Sequence, residues 1–169
     1  FLIVLALYSI LIVFYSIGWN RINISTDNTF IPKTSIIIAV RNEEKEIIRL
    51  IKDLSKQVYP TDKLEIIIVN DHSTDNTLGL LQSQQNTDNI RIINLDNDEY
   101  GKKKAVAKAV NLANGEIIVC TDADCSFSPF WIQTITSYFL NQEIKLVSGP
   151  VTFYKQEGLF HSLQSLEFC

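Results

Sequence analysis

The sequence contains little glycine, proline or cysteine, and its basic residues do not outnumber its acidic ones. Six Gly and four Pro in 169 residues exclude collagen-like and low-complexity chains. With 46% hydrophobic and 20% charged residues, the composition also excludes a disordered chain. The net charge of −4 argues against a general nucleic-acid binder, because phosphate contacts require a basic surface. We therefore expect one folded domain with a short appendage and no nucleic-acid partner.

Several common binding signatures are also missing. The three cysteines, Cys120, Cys125 and Cys169, are too few and too irregular for a disulfide framework, and they form no Cys-X-X-Cys zinc pair. No Gly-X-Gly-X-X-Gly segment follows the first apolar strand-like run, so a dinucleotide fingerprint is absent. The Gly101-Lys102 pair lacks the other residues of a P-loop. A reducing compartment is the simplest interpretation of the cysteines.

One long apolar run opens the sequence. Residues 1–19 carry no charge, and Trp19 stands where an interfacial aromatic residue is common. Because a bilayer span requires about 20 apolar residues, we predict a transmembrane helix over 1–19. A polar linker is expected over 20–33 and a folded domain over 34–169. A signal peptide and a buried core helix are the alternatives, but no small-residue cleavage site follows Ile17.

After the linker, short β-branched runs alternate with amphipathic stretches, and this pattern predicts an α/β domain. Apolar runs typical of buried strands occupy residues 35–40, 64–69, 90–95, 116–120 and 145–148. Helices are expected after Asn42, over 77–85, over 101–114 and after Ser128. Strict alternation of strands buried on both faces with helices predicts a mainly parallel sheet flanked by helices.

The helix patterns also predict caps and buried faces. Asn42 is expected to cap the first helix of the domain, whose apolar positions extend as far as Val58. In the helix over 101–114, Val106, Val110 and Ala113 are expected to face inward. Gly115 is expected to end that helix as a C-terminal cap.

Carboxylates follow two of the predicted strands. Asp71 stands after the second strand, and Asp122 and Asp124 stand after the fourth. Ligands of parallel sheets bind at the carboxyl ends of the strands, and carboxylate oxygens suit Mg²⁺ or Mn²⁺. If the backbone is extended there, Asp122 and Asp124 point to the same side. The alternative is a helix-capping turn ahead of Ser128.

Three segments together resemble the nucleotide-binding half of family 2 glycosyltransferases of the GT-A fold. They are TSIIIAVRNEE over 34–44, EIIIVNDHSTDNT over 65–77 and GKKKAVAKAVNLANGEIIVCTDADC over 101–125. The resemblance extends over residues 34–169 and implies a GT-A, Rossmann-like fold. Two positions depart from the family pattern, which often has Pro where Ala39 stands and Tyr where Arg41 stands.

The resemblance implies which residues bind the nucleotide. Asn42 and Glu43 are expected to line the base pocket, although capping accounts equally well for Asn42. Asp71 matches the carboxylate that accepts a hydrogen bond from the uracil or ribose; its alternative is an Asx turn that caps the next helix. Lys102 matches the lysine of a Gly-Lys motif at a helix N-terminus, a position suited to phosphate.

The resemblance also implies a metal site. Asp122 matches the first carboxylate of the family's metal motif, near the ribose, and Asp124 matches the carboxylate that coordinates Mn²⁺ or Mg²⁺ on the diphosphate. Cys125 adjoins Asp124, but a thiolate is a poor ligand for a hard cation. His72 stands where the family often has Gly and is interpreted as a turn residue. His161 lies in an apolar helical stretch, and a catalytic role is expected for neither histidine.

The activity implied is inverting transfer from a nucleotide-diphosphate sugar, with UDP the expected nucleotide, to a hydroxyl of a lipid or saccharide acceptor. The general base is expected beyond Cys169, so this chain is expected to be the donor-binding half and to be inactive alone. Arg21, Lys33 and Arg41 follow the apolar run, which predicts a domain on the cytoplasmic face of the cell membrane. The alternatives are a nucleotidyltransferase and a non-catalytic, membrane-anchored module that binds nucleotide sugars.

Overall fold

The computed structural model describes residues 2–19, 29–84, 89–149 and 151. Within these residues the chain forms four parallel strands and five α-helices. The strands are β1 (Thr34–Val40), β2 (Leu64–Asn70), β3 (Ile90–Asn94) and β4 (Ile117–Asp122). The helices are α1 (Leu2–Trp19), α2 (Ile47–Ser55), α3 (Thr77–Ser83), α4 (Lys102–Leu112) and α5 (Trp131–Ser137), with short 3-10 turns at Thr61–Lys63 and Tyr138–Leu140.

The strands form a single sheet in the order β3-β2-β1-β4, and every pairing is parallel. The central strands β1 and β2 are rich in isoleucine, whose branched side chain packs well on a pleated surface buried on both sides. The mainly parallel α/β architecture predicted from the sequence is therefore confirmed.

Each face of the sheet carries its own core. Ile36 and Ile38 point to the face covered by helices α2, α3 and α5, whereas Ile37 points to the face covered by α4. Successive residues of a strand point to opposite faces, so the isoleucine run supplies both cores at once. Each fully buried isoleucine contributes about 1.5–3 kcal/mol of transfer free energy. The two cores hold the strand ends in fixed positions.

Helix α2 differs from its predicted bounds, and helix α4 differs from its predicted buried face. Helix α2 ends at Ser55, and Val58 is 49% exposed beyond it. Helix α4 buries Ala105 and Ala109, and Val110 is left exposed. The prediction that Val110 faces inward is therefore wrong. Small alanine side chains let α4 approach the sheet closely, and a search for large apolar residues does not identify them as the buried face.

Gly115 has a different role from the predicted one. Helix α4 ends at Leu112, and Ala113 caps it, so Gly115 is not the C-terminal cap. Gly115 instead lies against β1: a Cβ atom there would be 2.4 Å from the backbone nitrogen of Ser35. Its N–H donates a hydrogen bond of 2.8 Å to Ser35 Oγ. A close approach of two backbones explains the glycine.

The predicted strand over 145–148 is wrong, since these residues form no strand in the structure. A strand requires a neighbouring strand to complete its hydrogen bonds, and the sheet of the described chain ends at β4. Leu146 is 86% exposed, so the segment also buries no apolar side chain at this position.

The N-terminal apolar run forms helix α1, as predicted, but the predicted transmembrane span is not supported. Among the helices of the described residues, none combines the length and the apolar character that crossing a membrane requires. Most of the predicted linker, residues 20–28, lies outside the described residues.

Candidate functional site

The residues assigned from the sequence lie at one edge of the sheet. Asn42 and Glu43 follow β1, Asp71 follows β2, and Asp122 is the last residue of β4. Val40 is paired with Asn70, and Ala39 with Asp122, so the three strands end at the same level. Adjacent strands are about 4.8 Å apart, and the structure therefore brings these residues together.

Asp71 links the end of β2 to the start of α4. Its side chain is only 5% exposed. Oδ2 accepts a hydrogen bond of 3.0 Å from the Gly101 N–H, and Oδ1 lies 3.0 Å from His72 Nδ1. Arg41 approaches Oδ2 at 3.9 Å. The carboxylate is thus fixed in position by groups from three separate segments.

The carboxylate that bonds the first residue of helix α3 is Asp75, not Asp71. Asp75 Oδ1 accepts hydrogen bonds from the N–H and the hydroxyl of Thr77, at 3.0 and 2.5 Å. The alternative in which Asp71 serves as an Asx cap is therefore wrong, because this carboxylate turns toward α4 instead.

Asn42 holds two loops together. Its φ of 57° lies in the left-handed region, which asparagine tolerates better than most residues. Its Oδ1 accepts a hydrogen bond of 2.7 Å from the Thr74 N–H, and its own N–H donates to Ser73 Oγ at 3.1 Å. Helix α2 begins only at Ile47, so the prediction that Asn42 caps it is wrong. Asn42 connects the segment after β1 to the segment after β2.

Lys102 and Asp122 are in direct contact. The Lys102 ammonium lies 2.5 Å from Asp122 Oδ1, and both side chains are more than half exposed. Lys102 is also the first residue of α4, where unpaired backbone N–H groups and the helix dipole favour an anion. A cation, a carboxylate and a helix start thus lie together at the solvent-facing edge of the sheet.

Asp124 lies in a turn directly after β4. Because residues 123 and 124 form a turn, the extended geometry expected across 122–124 is wrong. The alternative role for this turn, as a cap for α5, is not seen either, since the N-cap residue of α5 is Phe130 and this position has no side-chain cap hydrogen bond. Apart from its own main chain, the contact that the structure shows for the Asp124 carboxylate is with Cys125 Sγ, at 3.8 Å.

Arg49 fixes this turn, and the sequence analysis missed it. Nη2 of Arg49 donates a hydrogen bond of 2.8 Å to the Asp124 carbonyl oxygen, and Nη1 donates to Ser126 Oγ. The same guanidinium pairs with Glu46 at 2.6 Å. Glu46 and Arg49 have a spacing typical of a helical ion pair, but nothing in the sequence indicates the contact with residues about 75 positions away.

Glu43 lies in a negative field. Partial burial raises the pKa of the Glu43 carboxyl above its ordinary value. Four neighbouring carboxylates raise this pKa further: Asp124, Glu46, Asp75 and Asp122. A divalent cation near Asp122 and Asp124 would relieve this repulsion. In the described residues no group of three or more His, Cys, Asp or Glu side chains is close enough to hold a metal by itself.

The sequence predicts a turn residue at His72; the structure gives this position a backbone conformation typical of glycine, but no turn or bend. Its φ of 54° lies in the left-handed region that glycine adopts readily. Its ring stacks on Tyr100, with centroids 4.5 Å apart. Tyr100 was not singled out in the sequence, where no motif marks it. His161 and Cys169 lie outside the described residues.

Comparison with known proteins shows which family the sequence matches. A family model described as "Glycosyl transferase family 2" matches residues 35–167. The poly(ribitol-phosphate) beta-N-acetylglucosaminyltransferase TarS of Staphylococcus aureus (strain Mu50) is 34% identical over 92 residues, 54% of this chain and 16% of that protein. The undecaprenyl-phosphate 4-deoxy-4-formamido-L-arabinose transferase of Yersinia enterocolitica is 34% identical over 137 residues, 80% of this chain and 41% of that protein.

Solved structures show the same fold. A mannosyltransferase from Pyrobaculum calidifontis in complex with GDP-Man and Mn²⁺ superposes with a TM-score of 0.71 and 25% identity, covering 87% of this chain and 43% of that one. TarS of S. aureus in complex with UDP-GlcNAc gives a TM-score of 0.61 and 25% identity, covering 73% and 38%. The chain therefore spans less than half the length of these relatives.

Proposed function

Because the chain belongs to glycosyl transferase family 2, we propose that it binds the nucleotide diphosphate of a sugar donor and forms the donor-binding part of a glycosyltransferase. The observation that carries the proposal is the meeting of Asp71, Asp122 and Lys102 at the carboxyl edge of a parallel sheet. This edge is where such sheets bind ligands. UDP is the nucleotide we propose, and GDP is the competing choice, since relatives are seen with either one.

The site offers a separate group for each part of the nucleotide. Lys102 and the first N–H groups of α4 suit the diphosphate, where positive charge and unpaired donors are required. Asp71 is the acceptor proposed for the imide N–H of uracil or for the ribose. Asn42 and Glu43 would form the wall of the base pocket, at the end of β1. Asp122 lies between these groups and is proposed to face the ribose.

The chemistry of the carboxylates fits a divalent cation, Mn²⁺ or Mg²⁺. Such hard cations take oxygen ligands and often use only one or two carboxylates together with substrate phosphates. Asp124 and Asp122 are the residues that would hold the cation. The cation would balance the negative charge of these carboxylates, which adds to the effect of burial in raising the pKa of Glu43. The bound metal would stabilise negative charge on the departing diphosphate.

We further propose that the whole enzyme transfers the sugar with inversion. Negative charge develops on the leaving diphosphate oxygen during transfer, and the Lys102 ammonium is placed to stabilise it. An acceptor hydroxyl requires a general base on the opposite side of the sugar, and we assign no described residue to that role. A lipid acceptor is in keeping with the name of the Yersinia relative, an undecaprenyl-phosphate transferase, and a polymer acceptor with that of the staphylococcal relative, which names poly(ribitol-phosphate). A position at the cytoplasmic face of the membrane remains a prediction.

Calorimetry on the full 169-residue chain tests the proposal. UDP and GDP would each be titrated in Mn²⁺ and in chelator, with pyrophosphate and uridine as partial ligands. We expect a dissociation constant of about 1 μM to 1 mM for the preferred nucleotide in Mn²⁺. Binding of neither nucleotide would refute the proposal. Binding of uridine as tight as UDP would show that the edge binds no diphosphate.

Replacing Arg49 by alanine should weaken binding of the metal-nucleotide complex by about 3- to 10-fold. The turn that carries Asp124 would lose its hydrogen bonds from α2, while the metal-free affinity should stay unchanged. The affinity of Arg49→Lys for the metal-nucleotide complex should lie between those of the unmodified chain and of Arg49→Ala, because one ammonium cannot make all of these contacts.

The matched control for this prediction is Lys52→Ala, which removes an exposed positive charge from the same helix. It should leave both affinities unchanged. If Arg49→Ala binds UDP in Mn²⁺ as tightly as the unmodified chain, Arg49 does not position the metal turn.

A further inference from the structure

Tyr100 presents an aromatic surface at the candidate site. Its ring stacks on His72 with an angle of 24° between the planes and 4.5 Å between the centroids. Tyr100 is nevertheless 60% exposed, which is unusual for a large aromatic residue that already has a stacking partner. His72 can cover only one face of the ring, so the exposure places the other face toward solvent.

Both members of the stack are linked to Asp71, His72 directly and Tyr100 through the next residue in the chain. His72 Nδ1 lies 3.0 Å from Asp71 Oδ1, and the N–H of Gly101, the residue after Tyr100, donates to Asp71 Oδ2. His72 and Gly101 both have positive φ angles, 54° and 90°, which fix the backbone direction at the two residues that contact this carboxylate. The open ring of Tyr100 is therefore held beside the carboxylate proposed to contact the nucleobase or ribose.

The histidine that stacks on Tyr100 is partly buried, with 25% of its side chain exposed. In the part of the chain that the structure describes, His72 Nε2 is the buried side-chain atom without a hydrogen-bond partner. A buried polar atom without a partner is costly, and its presence in a folded protein calls for an explanation. A platform for a further aromatic ring gives the arrangement a use.

We propose that the open face of Tyr100 is the surface on which the donor nucleobase stacks, with His72 supporting the ring from the other side. This inference rests on the proposed function and names the residue through which the nucleobase would contribute to the binding affinity. Both purines and pyrimidines have a π face, so stacking should strengthen binding of any nucleotide without selecting one base. Selection between UDP and GDP would then come from polar groups such as Asp71.

The test compares Tyr100→Leu and Tyr100→Phe in calorimetric titrations of the full chain, with UDP and with inorganic pyrophosphate, both in Mn²⁺. Leucine removes the π surface and should weaken UDP binding about tenfold. Pyrophosphate has no base, so its affinity should be unchanged. Phenylalanine retains the ring and should keep UDP affinity within about twofold of the original. Phe130→Leu, which changes another exposed aromatic residue, is the matched control.

Three outcomes would overturn the inference. UDP affinity that survives Tyr100→Leu would show that no base stacks on this ring. An equal loss for UDP and pyrophosphate would show that the substitution damages the phosphate site or the fold. An unmodified chain that binds neither ligand would refute the proposed function, and this inference with it, whereas the first two outcomes leave the proposed function standing.

Discussion

Replacing Asp124 by alanine should abolish most of the gain in UDP affinity that Mn²⁺ provides. In the unmodified chain we expect Mn²⁺ to strengthen UDP binding at least roughly tenfold, and in Asp124→Ala less than about twofold. The reason is the position of the carboxylate, which lies in the turn after β4 beside Asp122 and close enough to Glu43 to raise its pKa. Calorimetric titration with UDP in Mn²⁺ and in chelator measures the difference directly.

The substitution should leave the fold intact, which makes the result interpretable. The Asp124 side chain is exposed, and its contact with Cys125 Sγ at 3.8 Å contributes little to stability. Asp62→Ala is the matched control: this exposed carboxylate lies before β2, at the opposite edge of the sheet. It should retain the whole Mn²⁺ effect.

An Asp124→Ala chain that keeps the full Mn²⁺ effect would contradict the assignment of this residue. The metal would then be held by Asp122 with other groups, and Asp122→Asn would become the decisive variant. That variant should also affect the metal-free state, because it removes the negative partner of Lys102.

The contact between Lys102 and Asp122 places two opposite charges side by side at this edge of the sheet. A lone lysine at a helix start would be repelled by the positive end of the helix dipole, and the nearby carboxylate offsets this repulsion. The pair therefore offers an ammonium and a carboxylate in direct contact with each other. A diphosphate with its metal ion requires both signs of charge in the same place, so the pair suits this ligand better than it suits a simple anion.

The central strands could be predicted closely from the sequence, because β1 and β2 are buried on both faces and therefore consist of continuous β-branched runs. The parallel arrangement followed from the alternation with helices. The strand predicted over 145–148 was wrong because apolar content alone does not show whether a neighbouring strand is available. The packing of α4 through small alanines, at Ala105 and Ala109, was also invisible to a search for large apolar residues.

The candidate site was predictable where it depended on topology alone. Parallel strands place their carboxyl ends side by side, so Asp71 and Asp122 could be placed at one edge before the structure was known. Contacts that depend on how loops run could not be predicted. Arg49 contacts the turn of Asp124, 75 residues further along the chain, and Tyr100 stacks on His72 between loops that follow two different strands. Neither contact has a local signal.

Replacing Gly115 by alanine should lower the free energy of unfolding by about 2–3 kcal/mol. A Cβ atom at this position would lie 2.4 Å from the Ser35 nitrogen and 2.8 Å from the Thr34 carbonyl carbon. Both are backbone atoms of β1, the strand that pairs with β2 and β4, and they cannot move aside as a flexible side chain would. The start of β4 must therefore shift away from β1, and the hydrogen bond from the Gly115 N–H to Ser35 Oγ would weaken with it.

Urea unfolding followed by circular dichroism measures this loss, with Gly149→Ala as the matched control. A Cβ atom at Gly149 would meet no atom of the described residues within 4 Å, so that substitution should change stability by less than about 0.5 kcal/mol. Gly115 lies at the amino end of β4, and Asp122 at its carboxyl end, so the folded Gly115→Ala chain should still bind UDP with nearly unchanged affinity. If its stability equals that of the unmodified chain, the backbones of β1 and the segment before β4 do not approach as closely as the structure indicates. If stability is retained but UDP binding is lost, the two ends of the sheet are coupled in a way that the contacts at the carboxyl edge do not explain.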